Sequence, residues 1–341
     1  MKNLIIFLIT SVLFVHLSYA QSINNETKAQ FNRAVDFINR NDTGQAILVL
    51  DSVIQNAPHF GKAYLERGKL LFMVDSIEKA RQDFTRALFI NNEMGAANFY
   101  LGYINYKHNR PDSAIRELTI ALEKKYRNPE VYYIRGLANY DIGDYNNAIS
   151  NFNNAIDSDY DFAYAYNDRG SAKMHIGDFQ GAIQDFKQAV SYNTQLALAY
   201  NNLGNAQIQA SDYTNAIESF SGAIDINPNY YKAYINRGRV KAIRENYEGA
   251  ISDLKKAIKI HPGDAKAYNN LGIVYLKKTE FQKAIQQFNK AIEENDSLGE
   301  AYLNRGMARE NLGDFDQACA DWQMARELGL EKADKYLEDC K

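Results

Sequence analysis

Histidine and cysteine are the residues with which this chain could bind a metal ion or attack a substrate, and it contains few of either. The histidines beyond residue 20 lie far apart in the sequence, at His59, His108, His175 and His261. None has a partner at the spacing of a helical zinc-binding motif, and Cys319 and Cys340 alone cannot form a structural zinc site. We therefore expect no metal ion and no cofactor.

Paired carboxylates, the other common catalytic device, do not stand out either. Acidic residues recur singly, at Asp144, Asp178, Asp212 and Asp314. An aspartate in such a place is better explained as a turn former or a helix cap than as one of two catalytic carboxylates. No glycine-rich loop follows a strand-like run, as phosphate binding would require. We predict that the protein is not an enzyme.

The elements that carry these residues repeat every 34 residues. Eight glycines keep that interval without an error, at Gly68, Gly102, Gly136, Gly170, Gly204, Gly238, Gly272 and Gly306. If the unit 197–230 is numbered as columns 1 to 34, these glycines occupy column 8, and column 20 is alanine from Ala46 to Ala318. Self-similarity at this period indicates a stacked-repeat architecture.

Two helices per repeat follow from the other columns. Column 24 is Phe, Leu or Trp, as in Phe220, and column 27 is alanine from Ala87 to Ala325. Columns 20, 24 and 27 are spaced by four and three, so they share one face of a helix. Columns 4 and 8 do the same for an earlier helix. We predict a close-packed helix pair in which small residues let the helices approach and the column-24 side chain fills the gap.

The period and these columns together resemble the tetratricopeptide repeat family. The resemblance covers nine copies over residues 27–332, of which the first departs most because it has Ala34 in place of the glycine. It implies an all-α, right-handed superhelical α–α solenoid in one elongated domain, completed by a capping helix in residues 333–341. The predicted repeats are 27–60, 61–94, 95–128, 129–162, 163–196, 197–230, 231–264, 265–298 and 299–332.

The first 20 residues have the pattern of a signal peptide. Lys2 precedes an apolar run from Leu4 to Leu17, and Ser18 to Ala20 supply small residues before a cut at Gln21. The alternative is a membrane anchor, but the run is about 21 Å long as a helix, short of the ~30 Å hydrocarbon core. We predict a soluble exported protein, periplasmic or extracellular and not inserted in a membrane, with residues 21–26 as a disordered lead-in.

The charge of the chain argues against nucleic acid as a partner. Without Lys2, the 39 basic residues become 38 against 42 acidic ones, a net charge of −4, and no basic run is longer than a pair. Nucleic-acid binding needs a concentrated basic surface.

Columns 7 and 23 vary together. Among repeats 2 to 9, where column 7 is arginine, column 23 is aspartate in four repeats and Asn151 opposite Arg135 in a fifth; where column 7 is leucine, column 23 is another residue. Arginine and aspartate can form a bidentate pair, and an arginine-lined anion site is the alternative. We predict structural pairs within each repeat, namely Arg67–Asp83, Arg169–Asp185, Arg237–Asp253 and Arg305–Asp321.

The two cysteines lie on either side of Gly329, ten residues before it and eleven after it. Two antiparallel helices that meet near Gly329 would bring Cys319 and Cys340 level, and export to an oxidising compartment favours a disulfide between them. Two separate thiols are the alternative.

A binding groove is implied by the resemblance, because the first helices of tetratricopeptide repeats line a concave face through columns 2, 5, 6, 9, 12 and 13. Those columns contain aromatic residues at Phe99, Tyr103, Tyr106, Tyr133, Tyr140 and Tyr164. Further along they contain polar residues at Asn167, Asn201, Asn202, Asn205, Lys232, Asn236, Arg239, Lys266, Asn269, Asn270 and Asn304. Tyrosine offers amphipathic contact area, and asparagine can pair with a peptide backbone. Some of these side chains could instead only pack between repeats.

We predict from these residues a non-enzymatic scaffold or adaptor that binds peptide segments of other proteins. The family's carboxylate clamp is not reproduced, since column 5 has no lysine and column 6 no arginine, although Lys232 and Lys266 leave an acidic peptide open as a ligand. A carrier of glycan or small ligands and a structural subunit of a cell-envelope assembly are the alternatives. The sequence does not identify the partner.

Overall fold

A computed structural model describes residues 23–159, 161–338 and 340 of the chain. Its contacts fall into two compact units, Met1–Tyr160 and Asp161–Lys341, where the sequence predicted one array. The predicted signal peptide lies outside the described residues. Within the described part, every helix is too short or too polar to cross a lipid bilayer.

The first unit consists of helix pairs joined by short turns. Its helices are α1 (Asn25–Asn39), α2 (Thr43–Asn56), α3 (Gly61–Met73), α4 (Ile77–Ile90), α5 (Gly95–Lys107), α6 (Pro111–Glu123), α7 (Pro129–Asp141) and α8 (Tyr145–Ser158).

The second unit continues the same pattern and ends in shorter elements. Its helices are α9 (Ala163–His175), α10 (Phe179–Tyr192), α11 (Ala197–Gln209), α12 (Tyr213–Ile226), α13 (Tyr231–Ile243), α14 (Tyr247–Ile260), α15 (Ala265–Lys277), α16 (Phe281–Glu294), α17 (Gly299–Glu310) and α18 (Phe315–Glu327). A 3₁₀ turn (Glu331–Ala333) and the four-residue helix α19 (Asp334–Leu337) follow.

Each unit is all-α over its described residues, as the sequence predicted. The first helix of a repeat packs against the second, and the second packs against the first helix of the next repeat. This is the arrangement of an α–α solenoid.

Column 8 is glycine because the column-24 side chain lies directly against it. A Cβ at Gly204 would come 2.6 Å from the Phe220 ring, and one at Gly272 would come 2.5 Å from the Phe288 ring. Such distances are shorter than any real Cβ contact, so alanine would force the helices apart. The column-24 residues, including Phe220, Phe288 and Trp322, are buried in the core.

The turn inside each repeat follows one backbone rule. The residue in column 15 has a positive φ in every predicted repeat, and it is glycine in only some of them, as at Gly143 and Gly177. Glu245 and Thr279 have the same conformation without being glycine, with φ of 62° and 58°. Several column-16 residues cap the second helix of their repeat. Asp144, for example, accepts the backbone N–H of Asn147 at 3.2 Å.

Both ends of the array differ from the sequence prediction. Helix α1 begins at Asn25, so the predicted disordered lead-in does not extend to residue 26; the Asn24 side chain caps the helix by accepting the Thr27 N–H at 2.7 Å. The carboxyl-terminal cap is a 3₁₀ turn and a short helix, not one helix. It folds back against α18, where the ring of Tyr336 lies 5.2 Å from that of Trp322, and a disulfide joins Cys319 to Cys340.

Candidate functional site

The charged residues at the heart of the repeats form closed clusters. In repeat 7, Arg237 donates to both carboxylate oxygens of Asp253 at 2.9 and 2.8 Å, and Lys241 approaches the same carboxylate at 2.8 Å. The same two-cation arrangement surrounds Asp185 and Asp321. The predicted pairs are thus present, and because each carboxylate is buried and saturated, these arginines are not an open anion site.

Column-7 arginines also reach the preceding repeat. Arg67 donates to Asp51 at 2.6 Å, and Arg237 donates to Ser221 at 2.9 Å. The hydrogen bond from Arg67 to Asp83 raises the pKa of Arg67, whereas burial lowers the pKa of Arg135, whose column-23 partner is the neutral Asn151. The arginines therefore join one repeat to the next while they neutralise a buried carboxylate.

The predicted asparagines of columns 5 and 6 do form a row along successive repeats, which we call the asparagine ladder. Its members, however, bind one another. The column-5 amide oxygen accepts from the column-6 amide of the next repeat, as in Asn236 to Asn201 at 3.0 Å. The other two bonds run from Asn202 to Asn167 and from Asn304 to Asn269, each at 3.1 Å. Asn167, Asn201 and Asn269 are buried. The column-5 asparagines are therefore not an open peptide-binding surface as predicted, because a buried amide must satisfy its hydrogen bonds inside the protein.

The predicted aromatic residues of the first unit also contact their own neighbours. Phe99 is buried, which contradicts its assignment to an open groove. The Tyr103 ring lies 5.4 Å from that of Phe72, the Tyr133 ring 5.9 Å from that of Phe152, and the Tyr140 ring 5.4 Å from that of Tyr145. Tyr106 packs against the same core, whereas Tyr164, in the second unit, is half exposed. The five predicted aromatic residues of the first unit thus pack against that unit's own aromatic rings and core.

The structure does gather five of the predicted polar residues around one open cavity in the second unit. We call it the Asn236 cavity; its volume is about 590 Å³, within the range of ligand pockets. Helices α11, α13 and α15 and two inter-repeat turns surround it. Its lining consists of Asn201, Asn205, Lys232, Ile235, Asn236, His261, Gly263, Asp264, Ala265, Lys266, Glu294 and Asn295.

This cavity lies where the asparagine ladder is interrupted. Column 5 of repeat 7 is Ile235, so Asn270 of repeat 8 has no amide to bond there. Lys266 follows the start of α15, and Asp264 caps that helix by accepting the Ala267 N–H at 2.9 Å. The interruption leaves a recess between two repeats that are bonded on their other sides.

Polar groups with unused hydrogen-bonding capacity face this recess. Asn205 forms no hydrogen bond with the described residues through its side chain, and Asn236 uses only one of its amide hydrogens. Lys232 and Lys266 are exposed and form no ion pair with the part of the chain that the structure describes. The predicted Asn202, Asn270 and Asn304 are half buried, and Arg239 is exposed, but none of them lines the cavity.

Sequence reasoning missed the turn residues that form the other wall. His261 stacks on Tyr231 with ring centroids 4.5 Å apart, and Glu294 and Asn295 lie at the next turn. The signal was available, since these residues stand three or four positions before the end of their repeats. Among residues 23–159, 161–338 and 340, no group of three or more His, Cys, Asp or Glu side chains could hold a metal ion.

The fold and this lining define a helical-repeat protein with a polar recess. Sequence models described as tetratricopeptide repeat match residues 101–158, 137–196, 168–231, 265–298 and 300–328, and one described as TPR repeat matches residues 238–279. Together they span most of the chain, which belongs to the tetratricopeptide repeat family.

Two solved structures agree with this assignment at the level of the fold. A tetratricopeptide repeat protein from Parabacteroides merdae is 19% identical, with a TM-score of 0.58 over 72% of this chain and 97% of that one. The C-terminal part of a repeat-containing protein from Cytophaga hutchinsonii is 20% identical, with a TM-score of 0.57 over 70% and 98%. MamA is 29% identical, with a TM-score of 0.43 over 48% of this chain and 96% of its own. A comparison with curated proteins finds no significant match.

Proposed function

We propose that the protein is a non-enzymatic interaction scaffold, and that the Asn236 cavity binds an extended segment of another protein. The observation that supports this is the lining itself, in which Asn205 and Asn236 retain unused amide groups between two unpaired lysines. An amide side chain offers both a donor and an acceptor, so it can pair with a peptide group whatever the side chains of the ligand are.

The fixed charges of the cavity favour a ligand of mixed polarity. Lys232 and Lys266 are balanced by Asp264 and Glu294, so the recess has no strong excess of either sign. A peptide backbone with occasional acidic side chains fits such a lining, because the lysines can pair with them while the amides bind the backbone.

The alternative function, a glycan carrier, needs stacked tyrosines that are open to a sugar. Tyr103, Tyr133 and Tyr140 are half-buried and pack against their own aromatic neighbours, so we do not favour that function. We further propose that the protein works outside the cytoplasm. The apolar leader pattern of residues 1–20 and the disulfide between Cys319 and Cys340 support that location.

A random dodecapeptide library displayed on phage, selected on the full chain, tests peptide binding. We expect Asn205→Ala to weaken a selected peptide several-fold and Lys232→Gln/Lys266→Gln to weaken it about tenfold, since each lost hydrogen bond is worth about 1 kcal/mol. Lys255→Gln/Lys256→Gln removes equal charge from α14, outside the cavity, and should change nothing. Bound peptide should also slow hydrogen exchange in α11, α13 and α15. If no peptide is selected, or if all variants bind alike, the proposal is wrong.

A further inference from the structure

A second cavity, in the first unit, occupies the same place in the repeat register. It has a volume of about 550 Å³ and lies between α1, α3 and two inter-repeat turns; we call it the Phe31 cavity. Its lining consists of Ile23, Lys28, Phe31, Asn32, His59, Phe60, Gly61, Lys62, Ile90, Asn91 and Met94.

Four lining residues of the two cavities correspond column by column, each six repeats of 34 residues apart. Lys28 and Lys62 match Lys232 and Lys266, and the amides Asn32 and Asn91 match Asn236 and Asn295. Both cavities thus share two column-2 lysines and two side-chain amides in matching columns.

At columns 30 and 34, the two cavities have side chains of different chemical character. Where the Asn236 cavity has the acids Asp264 and Glu294, the Phe31 cavity has Phe60 and Ile90. The Phe31 and Phe60 rings lie 4.9 Å apart. A Cβ on Gly61 would meet the terminal methyl group of Met94 at 3.0 Å and Ile90 at 3.3 Å, so these two side chains pack directly against the glycine. The floor is therefore apolar and backed by flexible side chains.

The Phe31 cavity also differs from the Asn236 cavity in the charge of its lining. The lining has no acidic residue, while Lys28 and Lys62 are exposed and form no ion pair with the described residues. A ligand that fills this cavity must remove apolar surface from water, and it gains from an anionic group placed between the lysines. The Asn91 side-chain oxygen already accepts the Glu93 N–H at 3.0 Å, so the Asn91 NH2 group and the Asn32 amide are the groups open to a ligand. A fatty acid meets both needs but leaves these groups unused, whereas a peptide group can bond to them.

We propose that the Phe31 cavity is a separate binding site for an extended peptide that carries a large apolar side chain next to a carboxylate. The apolar side chain lies on Phe31, Phe60 and Met94, the carboxylate pairs with Lys28 and Lys62, and the amides bond to the peptide backbone. This site does not depend on the Asn236 cavity, since every residue that forms it belongs to the first unit.

The Met94 methyl group gives a local reporter for the test. The full chain, labelled with ¹³C in its methionine methyl groups, is titrated with peptides selected from a random dodecapeptide phage library, and Met307 and Met324 in the second unit serve as internal references. We expect selection of peptides with Phe, Leu, Ile or Met beside Asp or Glu, and a shift of the Met94 resonance. Replacing the acidic residue of the peptide by its amide should weaken binding at least fivefold.

Matched variants separate this site from the other one. Lys28→Gln/Lys62→Gln should weaken binding about tenfold, whereas Lys79→Gln/Lys125→Gln, which removes exposed charge elsewhere in the first unit, should not. Lys232→Gln/Lys266→Gln should leave the Met94 response intact, so the two proposals fail independently.

Four results would overturn the proposal. They are selected peptides without acidic residues, equal binding by Lys28→Gln/Lys62→Gln, no selected peptide that moves Met94, and a Met94 shift with palmitate that no selected peptide displaces. Deleting residues 1–20 supplies one more outcome. If that deletion itself moves the Met94 resonance, the chain's own amino terminus fills the cavity and the proposal is wrong.

Discussion

Moving one repeat's polar cluster into another tests what the buried ion pairs do. Repeat 7 has Arg237, Lys241 and Asp253, and the equivalent columns of repeat 6 hold Leu203, Gln207 and Ser219. In repeat 6, the Ser219 hydroxyl donates to the Gln207 side chain at 2.7 Å, so a neutral hydrogen-bonded pair occupies the place of the ionic cluster.

The single change Arg237→Leu should be costly because it strands a buried carboxylate. Asp253 loses two charge-assisted hydrogen bonds and keeps only Lys241 at 2.8 Å. Breaking a buried pair from one side costs about 3–5 kcal/mol, and the remaining lysine places our expectation near 3 kcal/mol. The triple change Arg237→Leu/Lys241→Gln/Asp253→Ser removes the charge altogether, so it should lie within about 1 kcal/mol of the parent.

Urea unfolding followed by far-UV circular dichroism measures the two differences in stability. Because a repeat array can unfold in parts, hydrogen exchange of Tyr231–Ile243 and Tyr247–Ile260 should accompany it and locate the loss. If the triple variant is as unstable as the single one, the reasoning is refuted. The loss of stability would then come from the lost packing of Arg237 and not from the unpaired Asp253 carboxylate. The guanidinium carbon of Arg237 lies 5.6 Å from the Tyr234 ring centroid.

Three further predictions concern the turns, the core and the cap. Thr279 has a φ of 58°, which costs a β-branched residue about 1–2 kcal/mol, so Thr279→Gly should raise the thermal midpoint of unfolding. The control Gly313→Ala, at the same column, should lower it. A lowered midpoint for Thr279→Gly would contradict this. Burial raises the pKa of Tyr100 to about 12, so stability should fall as the pH rises from 10 to 12. Urea unfolding at pH 9 and 11.5 should show a loss of about 1–2 kcal/mol that Tyr100→Phe removes, and an unchanged loss would disprove the assignment. Cys340→Ser should speed hydrogen exchange in residues 331–337, because it removes the disulfide between residues 21 positions apart. A disulfide across such a separation stabilises the folded state by about 3 kcal/mol. Unaltered exchange would mean that packing alone holds the cap.

The sequence was informative wherever one repeat determines its own structure. The glycine of column 8 and the side chain of column 24 touch within a repeat, as Gly204 and Phe220 do, so their shared period predicted a contact that the structure contains. The first helices of repeats 2 to 9 begin at column 1, from Gly61 to Gly299. The arginine–aspartate pairs likewise join columns of one repeat, and covariation between columns revealed them.

Prediction was weaker where the environment comes from the next repeat or from the chain end. A column-5 asparagine looks like a groove residue in isolation, yet Asn201 is buried because Asn236, 35 residues further on, closes over it and donates to it. The cap has no repeat period at all. Its 3₁₀ turn and short helix pack beside the disulfide and against Trp322, which lies next to the Tyr336 ring.

The two cavities indicate how one frame can present different binding chemistry. Columns 8, 20 and 24 vary only within narrow limits, namely glycine or alanine, alanine, and a large apolar residue, because these positions meet inside the core. Column 30 is the last helical residue before the inter-repeat turn that contains column 34, and a change there from Glu294 to Ile90 or from Asp264 to Phe60 alters the lining while the contact between columns 8 and 24 is kept. If both proposals hold, a variant with Phe60→Asp/Ile90→Glu should lose affinity for acidic apolar peptides, since it places two negative charges beside Lys28 and Lys62. An unchanged affinity, measured by the Met94 methyl shift, would show that these turn columns do not set the preference.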